Sequence, residues 1–208
     1  MSLGLASVTG MWFPERCASC ELPGRSPCRR CAAALTPAPV LAVPPGLDTL
    51  SALLAYDHRA RPLVLAVKYR NARASLATLA PPLAALVPPV GSGAVLTWAP
   101  TTRSRRRERG FDQGQLLARH LASSLARPMR PLLGRVDGPP QTGRARLDRL
   151  HGPQFLARAP SPSEVVLVDD VCTTGATLVA AATVLRGAGA HTVHGVVLAR
   201  TPEPRAAA

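Results

Sequence analysis

Aromatic residues and lysine are scarce in this 208-residue chain: Phe, Trp and Tyr make up 3 % of it, and Lys68 is its only lysine. A surface that stacks successive nucleic-acid bases needs several aromatic rings, so base stacking is not the expected mode of binding. Acidic residues are few as well, since 12 Asp and Glu stand against 25 Lys and Arg, for a net charge of +13. An arginine-rich chain of this charge favours polyanionic partners, either phosphorylated metabolites or nucleic acid.

The sequence lacks the apolar segments that membrane insertion or secretion requires. Residues 74–102 carry no charge, but two Pro-Pro pairs and a Gly-Ser-Gly turn interrupt them, so they do not predict one membrane-spanning helix. The first residues carry no positive charge before Arg16 and no apolar core ending in a small-residue cleavage site, so they do not match a secretory signal. We therefore expect a cytoplasmic protein that does not insert into membranes.

Short apolar runs alternate with longer amphipathic runs from Asp48 onward. The short runs predict strands at Leu50–Tyr56, Ala94–Ala99, Val165–Asp169 and Thr192–Leu198. The longer runs predict helices at Ala60–Tyr69, Ser75–Val87, Gln113–Leu125 and Ala176–Gly187. Alternating strands and helices predict an α/β domain with a mostly parallel, twisted sheet flanked by helices.

Four segments are expected along the chain. Residues 1–35 hold four of the five cysteines and predict a small metal-binding module, while residues 36–47 contain four prolines without periodicity and predict a linker. Residues 48–200 form the predicted α/β domain, and residues 201–208 the predicted flexible tail. Within the domain, Gly134–Phe155 is rich in Gly, Pro and Arg and predicts a long mobile loop.

The cysteines near the N-terminus form two C-x-x-C pairs, Cys17-Ala-Ser-Cys20 and Cys28-Arg-Arg-Cys31, with seven residues between them. Two such pairs supply the four thiolates of a tetrahedral zinc site. A reducing cytoplasm disfavours the alternatives, which are two disulfides or a redox pair. Four protein ligands leave no open position, so we expect the zinc to be structural. Cys172 stands apart and is expected to be a small packed residue.

The most informative segment runs from Val165 to Leu178. An apolar strand ends in Asp169 and Asp170, and a loop of small and hydroxyl residues then opens a helix. Backbone N–H groups at such a helix N-terminus cradle a phosphate, and the two carboxylates accept hydrogen bonds from adjacent hydroxyls, such as those of a ribose. An ordinary strand with an Asp-rich turn explains fewer of these residues. The segment predicts a ribose 5-phosphate subsite with loop residues Thr173, Thr174, Gly175, Ala176 and Thr177.

This segment resembles the 5-phosphoribosyl 1-diphosphate (PRPP) signature of type I phosphoribosyltransferases. Further motifs occur in the order seen in the ComF family of competence-associated phosphoribosyltransferase-like proteins: the paired C-x-x-C, Leu65-Ala-Val-Lys68-Tyr69, Trp98-Ala-Pro100, Arg109-Gly-Phe-Asp-Gln113 and Gly187–Arg200. The resemblance covers nearly the whole chain, and it implies a type I phosphoribosyltransferase fold behind a zinc module, with PRPP and Mg²⁺ bound. Two positions depart from the family pattern: Asp112 replaces the usual Asn, and Arg149-Leu-His151 replaces Arg-x-Asn.

Five arginines lie within residues 103–109, directly after a predicted strand. Guanidinium groups bind phosphate oxygens bidentately, so this run fits the diphosphate of PRPP. The same charge also fits a DNA backbone or a solvated face. We expect Arg103 and Arg109 to contact the diphosphate, and the middle three arginines to face DNA or solvent. Lys68 joins the predicted PRPP site through its family motif.

Two functions remain open at this point. The chain is predicted to be a ComF-like PRPP-binding protein that transfers the phosphoribosyl group and releases diphosphate. The alternative is a non-catalytic factor for uptake or recombination of single-stranded DNA in natural competence, which keeps the pocket as a PRPP sensor. The sequence indicates neither a general base nor an acceptor substrate.

Overall fold

The computed structural model describes residues 16–69, 74–136 and 153–202. Within these residues the helices are α1 Arg29–Ala33, α2 Ala60–Tyr69, α3 Ala74–Ala84, α4 Arg103–Arg109, α5 Gln113–Leu125 and α6 Ala176–Gly187. The strands are β1 Thr49–Ala55, β2 Val95–Trp98, β3 Leu133–Arg135, β4 Phe155–Ala157, β5 Glu164–Cys172 and β6 Thr192–Arg200. No helix of this part of the chain is long and apolar enough to cross a membrane.

Four strands form a parallel sheet in the order β1, β6, β5, β2. Its two central strands are buried along Val165–Val168 of β5 and Val193–Ala199 of β6, which explains why these stretches are continuous runs without polar alternation. Along β5, Val166 and Val168 pack into one hydrophobic cluster, whereas Val165 and Leu167 pack into the other. Successive side chains of a strand point to opposite faces, so this sheet is covered on both sides.

Helices cover the two faces unequally. Leucines of α2, α3 and α5 pack on one face, including Leu63, Leu83 and Leu117, each 0 % exposed. On the other face, Leu178 and Leu185 of α6 pack with the side chains of the β3–β4 hairpin. The predicted α/β architecture with a parallel sheet flanked by helices is therefore confirmed.

The structure differs from the predicted elements in two places. Gly134 and Phe155, the predicted ends of a mobile loop, lie in β3 and β4, which pair antiparallel; residues 137–152 are outside the described residues. Strands of three residues are too short to show a period, which is why they were missed. Helix α3 runs through Pro81 and Pro82 and ends at Ala84, three residues before the end of the predicted helix Ser75–Val87.

The four-cysteine region packs against the helical face of the domain. Ala18 belongs to the same buried cluster as the leucines of α3. The Ser26 hydroxyl lies 2.7 Å from that of Ser75 on α3, and it also accepts the N–H of Ala18 at 2.8 Å. Both serines are buried, at 4 % and 0 % exposed. A buried polar pair therefore joins the cysteine region to the domain.

Residues 36–47, predicted as a linker, follow the edge of the sheet. The N–H of Ala38 donates to the carbonyl of Leu53 at 3.1 Å, and the N–H of Ala55 donates to that of Thr36 at 2.9 Å. These bonds occupy part of the outer edge of β1, which is the exposed end of the parallel sheet.

Candidate functional site

A cavity of about 280 Å³ lies at the carboxyl ends of β5 and β2. The two strands are neighbours with Trp98 paired to Val168, so the residues that follow each strand meet at one edge. Asp169 and Asp170 of β5 form the base of the cavity. The loop before α6 forms one wall, and residues 99–114, which contain α4 and the start of α5, form the other. Ligands of open α/β sheets bind at this edge.

The loop before α6 contains the residues that were predicted to bind a phosphate. Thr173 and Thr177 line the main cavity, and a smaller cavity of about 20 Å³ lies within the loop, lined by all five predicted residues. Gly175 has φ +79°, and an added Cβ would lie 3.0 Å from Pro44 Cγ, so a larger residue does not fit there. Cys172 is 3 % exposed behind the loop and packs in the core, as predicted.

The two carboxylates at the base of the cavity differ in their contacts. Lys68, in the last turn of α2, forms an ion pair with Asp170 at 2.8 Å between Nζ and Oδ2. Asp169 Oδ1 accepts the N–H of Asp170 at 2.8 Å. Burial, together with the negative charge of Asp170, raises the pKa of Asp169 to about 8. Burial and the neighbouring charge therefore favour the protonated form of Asp169 in the ligand-free protein.

The arginine run forms helix α4. Thr102 caps α4 by accepting the N–H of Arg105, and Gly110 ends it with φ +77°. Arg105 and Arg109 line the cavity. Arg103, the other predicted diphosphate contact, is exposed at the first position of the helix and is not among the lining residues.

Arg109 is held in place by two neighbours. Its Nη1 donates to Gln113 Oε1 at 2.9 Å, and its Nη2 donates to the Tyr69 hydroxyl at 3.0 Å. The guanidinium carbon also lies 4.8 Å from the centre of the Tyr69 ring. These contacts connect α4 and α5 to the end of α2, the helix that carries Lys68.

Both carboxylates and the phosphate loop of this cavity belong to a segment of the chain that matches a known protein family. Residues 112–207 match the phosphoribosyl transferase domain family. The match spans just under half of the chain and contains β5, α6 and β6. The sheet is thus of the phosphoribosyltransferase type, with a four-cysteine cluster near the N-terminus, which confirms the predicted fold class.

Two solved structures show a distant likeness to the chain, whereas no curated protein matches it. The allosteric regulatory enzyme of purine biosynthesis is 21 % identical over 61 % of this chain, with a TM-score of 0.41. A protein of Thermus thermophilus is 21 % identical over 65 % of this chain, with a TM-score of 0.36. The chain covers 26 % of the first structure and 85 % of the second.

Asp112, where the phosphoribosyltransferase-type domain departs from the ComF pattern, has a structural role. Its carboxylate caps α5 by accepting the N–H of Gln115 at 3.1 Å, and it accepts the N–H of Thr101 at 2.9 Å. It is 5 % exposed, and burial raises the pKa of its carboxyl. Asp and Asn are both good N-caps, so this substitution preserves the helix start. The other departure, at Arg149–His151, lies outside the described residues.

Several lining residues were not predicted from the sequence, and three of them come from separate elements. Tyr56 follows β1, Gln113 begins α5, and Arg135 ends β3. The Arg135 guanidinium lies 5.1 Å from the ring centre of Phe155 on the paired strand. Gln113 belongs to the family motif, which was the available signal for it. Tyr56 and Arg135 gave no local signal, because tertiary packing alone brings them to the cavity.

The four N-terminal cysteines form a second candidate site. Their sulfur atoms lie within 4.8 Å of one another, and Cys20 and Cys28 Sγ are 3.8 Å apart. Zinc bound tetrahedrally at about 2.3 Å requires sulfurs about 3.8 Å apart, so the cluster fits the ion. Burial raises the pKa of the Cys17 thiol, but backbone hydrogen bonds led by that from Cys28 outweigh this effect and lower it to about 6. A thiol that ionises this readily is a good metal ligand.

Proposed function

We propose that this chain is a ComF-like phosphoribosyltransferase that binds PRPP and transfers its phosphoribosyl group with release of diphosphate. The observation that carries the proposal is the convergence on one cavity of a helix N-terminus, two adjacent carboxylates and several cations. A phosphorylated sugar with a second anionic group has matching chemistry at each of these points.

The cavity suggests how PRPP would be oriented. The 5-phosphate would bind the loop before α6, where the positive end of the helix and the threonine hydroxyls supply donors. Asp169 and Asp170 would accept hydrogen bonds from the ribose hydroxyls. The diphosphate on C1 would then lie toward the opposite wall, beside Lys68 and Arg105. The sugar would span the cavity between two donor-rich walls.

The residues on these walls account for catalysis by positioning and electrostatics. Guanidinium and ammonium groups aimed at the diphosphate stabilise the negative charge that develops as the bond from C1 to the diphosphate breaks. Mg²⁺, when bound, neutralises part of the same charge and makes diphosphate a better leaving group. Asp169 and Asp170 are the residues that would hold this ion, because Mg²⁺ prefers hard oxygen ligands such as carboxylates. We further propose that Cys17, Cys20, Cys28 and Cys31 hold one structural Zn²⁺.

Asp170→Asn tests the ribose assignment by calorimetry with PRPP and Mg²⁺. A hydrogen bond to a charged group contributes about 1.5–3 kcal/mol, so the affinity should fall by roughly tenfold or more. Asp48→Asn is the matched control. Asp48 lies at the amino end of β1, whereas the cavity lies at the carboxyl ends of the strands, and it pairs with Arg186 at 2.7 Å. Unchanged PRPP affinity in Asp170→Asn would contradict the assignment. Enzymatic transfer is then tested by measuring diphosphate release across candidate acceptors.

One observation favours a second function, the binding of single-stranded DNA in natural competence. Arg106 and Arg107 are exposed on α4 and are not among the lining residues of the cavity. If they contact a nucleic-acid backbone, affinity for single strands should fall with salt at a slope of about −0.7 per phosphate contacted. Replacing both by Ala should flatten the slope by about 1.4 and leave PRPP affinity unchanged. An unchanged slope would assign these arginines to solvent.

A further inference from the structure

Residues 41–46, which belong to the segment predicted as a linker, pass behind the phosphate loop and are called the strap below. Pro44 of the strap is buried, whereas the adjacent Pro45 is exposed. The ring of Pro44 faces Gly175, because a Cβ added to Gly175 would lie 3.0 Å from Pro44 Cγ and 3.2 Å from Pro44 Cβ. Gly175 is the N-cap of α6. The proline therefore packs against the backbone at the point where the phosphate loop becomes a helix.

Two arginines bind the strap, one on each side of its buried proline. Arg200 donates through its two Nη atoms to the successive carbonyls of residues 41 and 42, at 3.4 and 2.5 Å. Arg186 donates through Nε to the carbonyl of Gly46 at 2.8 Å. Neither arginine is among the lining residues of the main cavity or of the smaller cavity in the loop. Their guanidinium groups thus bind the backbone of the strap from outside the ligand cavity.

Both arginines belong to elements that adjoin the phosphate loop. Arg200, the last residue of β6, pairs with Cys172 of β5, and the loop begins at the next residue, Thr173. Arg186 lies on α6, the helix that follows the loop. These bonds therefore fix the strap relative to both ends of the loop. The ring of a proline also fixes its own φ, which makes the strap stiffer where it contacts the loop.

Gly175 requires support from outside the loop, because glycine has more conformational freedom than any other residue. It also caps α6 without a side-chain hydrogen bond. The directions of the N–H groups in this loop depend on its backbone conformation, and those groups are the donors available to a phosphate. A loop that is already ordered loses less conformational entropy when it binds its ligand.

We propose that Pro44 is a positioning residue of the phosphate loop: held by Arg200 and Arg186, it keeps Gly175 in the conformation that binds the 5-phosphate. The segment that joins the four-cysteine region to the domain is thereby part of the binding site, although it does not touch the ligand. The inference rests on the proposed function, which assigns the 5-phosphate to this loop.

Pro44→Ala tests the positioning role by calorimetry with ribose 5-phosphate and with PRPP and Mg²⁺. If the ligand must then order the backbone of one more residue, both affinities should fall by about five- to thirtyfold. Pro45→Ala, the same change at the exposed neighbour, is the matched control and should leave both affinities unchanged. Ser75→Ala controls for a general loss of stability, because it removes a buried hydroxyl outside the cavity, and it should also leave both affinities unchanged.

Cys172 provides a readout that needs no ligand. Its side chain is 3 % exposed, and its sulfur lies 3.9 Å from the position of a Cβ added to Gly175. A loosened loop exposes this thiol, so Pro44→Ala should raise the rate at which iodoacetamide labels Cys172, whereas Pro45→Ala should not. Mass spectrometry of the peptide that contains Cys172 measures the rate separately from the four N-terminal cysteines.

Arg200→Met is a second variant, which removes both bonds to the strap and leaves Pro44 in place; thermal unfolding identifies any variant that fails to fold. It should reproduce the loss of affinity, and combined with Pro44→Ala it should cost little more, because both act through one contact. Unchanged ribose 5-phosphate affinity in both variants, or an equal loss in Ser75→Ala, overturns the inference. Failure of the wild-type protein to bind either ligand defeats the proposed function instead. Labelling of Cys172 then still decides whether Pro44 fixes the loop.

Discussion

The contact between the four-cysteine region and the domain can be broken by removing one oxygen atom. Ser75→Ala deletes the hydroxyl that lies 2.7 Å from Ser26 Oγ in a buried position. The remaining Ser26 oxygen still accepts the N–H of Ala18, but the Ser26 hydroxyl loses its hydrogen bond with Ser75. We therefore expect Ser75→Ala to destabilise the protein and to loosen the cysteine region from α3.

The size of the effect follows from the burial of both hydroxyls. Leaving one buried donor unsatisfied costs about 1–3 kcal/mol. In a chain of about 150–250 residues, 1 kcal/mol lowers the melting temperature by about 2–4 °C, so the expected fall is about 2–12 °C. Thermal unfolding followed by circular dichroism measures it. Ser123→Ala, an exposed serine of α5, is the matched control and should change stability by less than about 0.5 kcal/mol.

A double-mutant cycle decides whether the pair itself is responsible. If the hydroxyls act together, the combined Ser26→Ala and Ser75→Ala protein should be more stable than the sum of the single losses implies. Strict additivity, or a Ser75→Ala protein that melts with the Ser123→Ala control, would refute the reasoning. Thiol accessibility of the metal-free protein provides a second readout, since a loosened region should expose Cys17 to reagents.

Metal analysis should find close to one zinc per wild-type chain and almost none in Cys28→Ser, whereas Cys172→Ser, which alters a cysteine outside the cluster, should retain the metal. PRPP affinity should rise between pH 7 and pH 9, because the raised pKa of Asp169 leaves part of its carboxyl protonated at pH 7, and ribose hydroxyls favour the ionised form. Asp170→Asn should flatten that rise by removing the neighbouring negative charge, and calorimetry at pH 7, 8 and 9 measures both proteins.

Each of these expectations has an outcome that contradicts it. Wild-type protein that contains no metal while all of its thiols titrate freely would remove the zinc assignment. A wild-type PRPP affinity that does not change between pH 7 and pH 9 would contradict the raised pKa of Asp169. Ionisation of the ligand does not explain a rise in this range, because phosphate monoesters lose their second proton near pH 6.

The sequence predicts best those elements whose own residues show which side is buried and where the element ends. Helices α2, α5 and α6 agree with their predicted bounds, because an apolar stripe or a capping residue marks each of them. Helix α4 shows no apolar stripe and has no buried residue, so only its Thr102 cap and Gly110 end define it. The hairpin strands β3 and β4 depend on packing against α6, which no short segment of sequence reports.

The same distinction applies to the site. Asp169, Asp170 and the phosphate loop are contiguous in sequence, so their shared role was visible before the structure. Arg105 rather than Arg103 reaches the cavity, because the helical turn of α4 decides which arginines face inward. The amide of Gln113 is oriented by Arg109 of α4, which in turn contacts Tyr69 of α2, so its position is a property of the tertiary structure.

Lys68 is the only lysine of this chain, and its ion pair with Asp170 places the amine at the cavity. Acetylation or carbamylation of a lysine side chain therefore has Lys68 as its target, and each removes the positive charge beside Asp170. A bound ligand that covers this part of the cavity shields the same amine. Binding of a ligand in the cavity can therefore be measured as protection of Lys68 from chemical modification, without a label on the ligand.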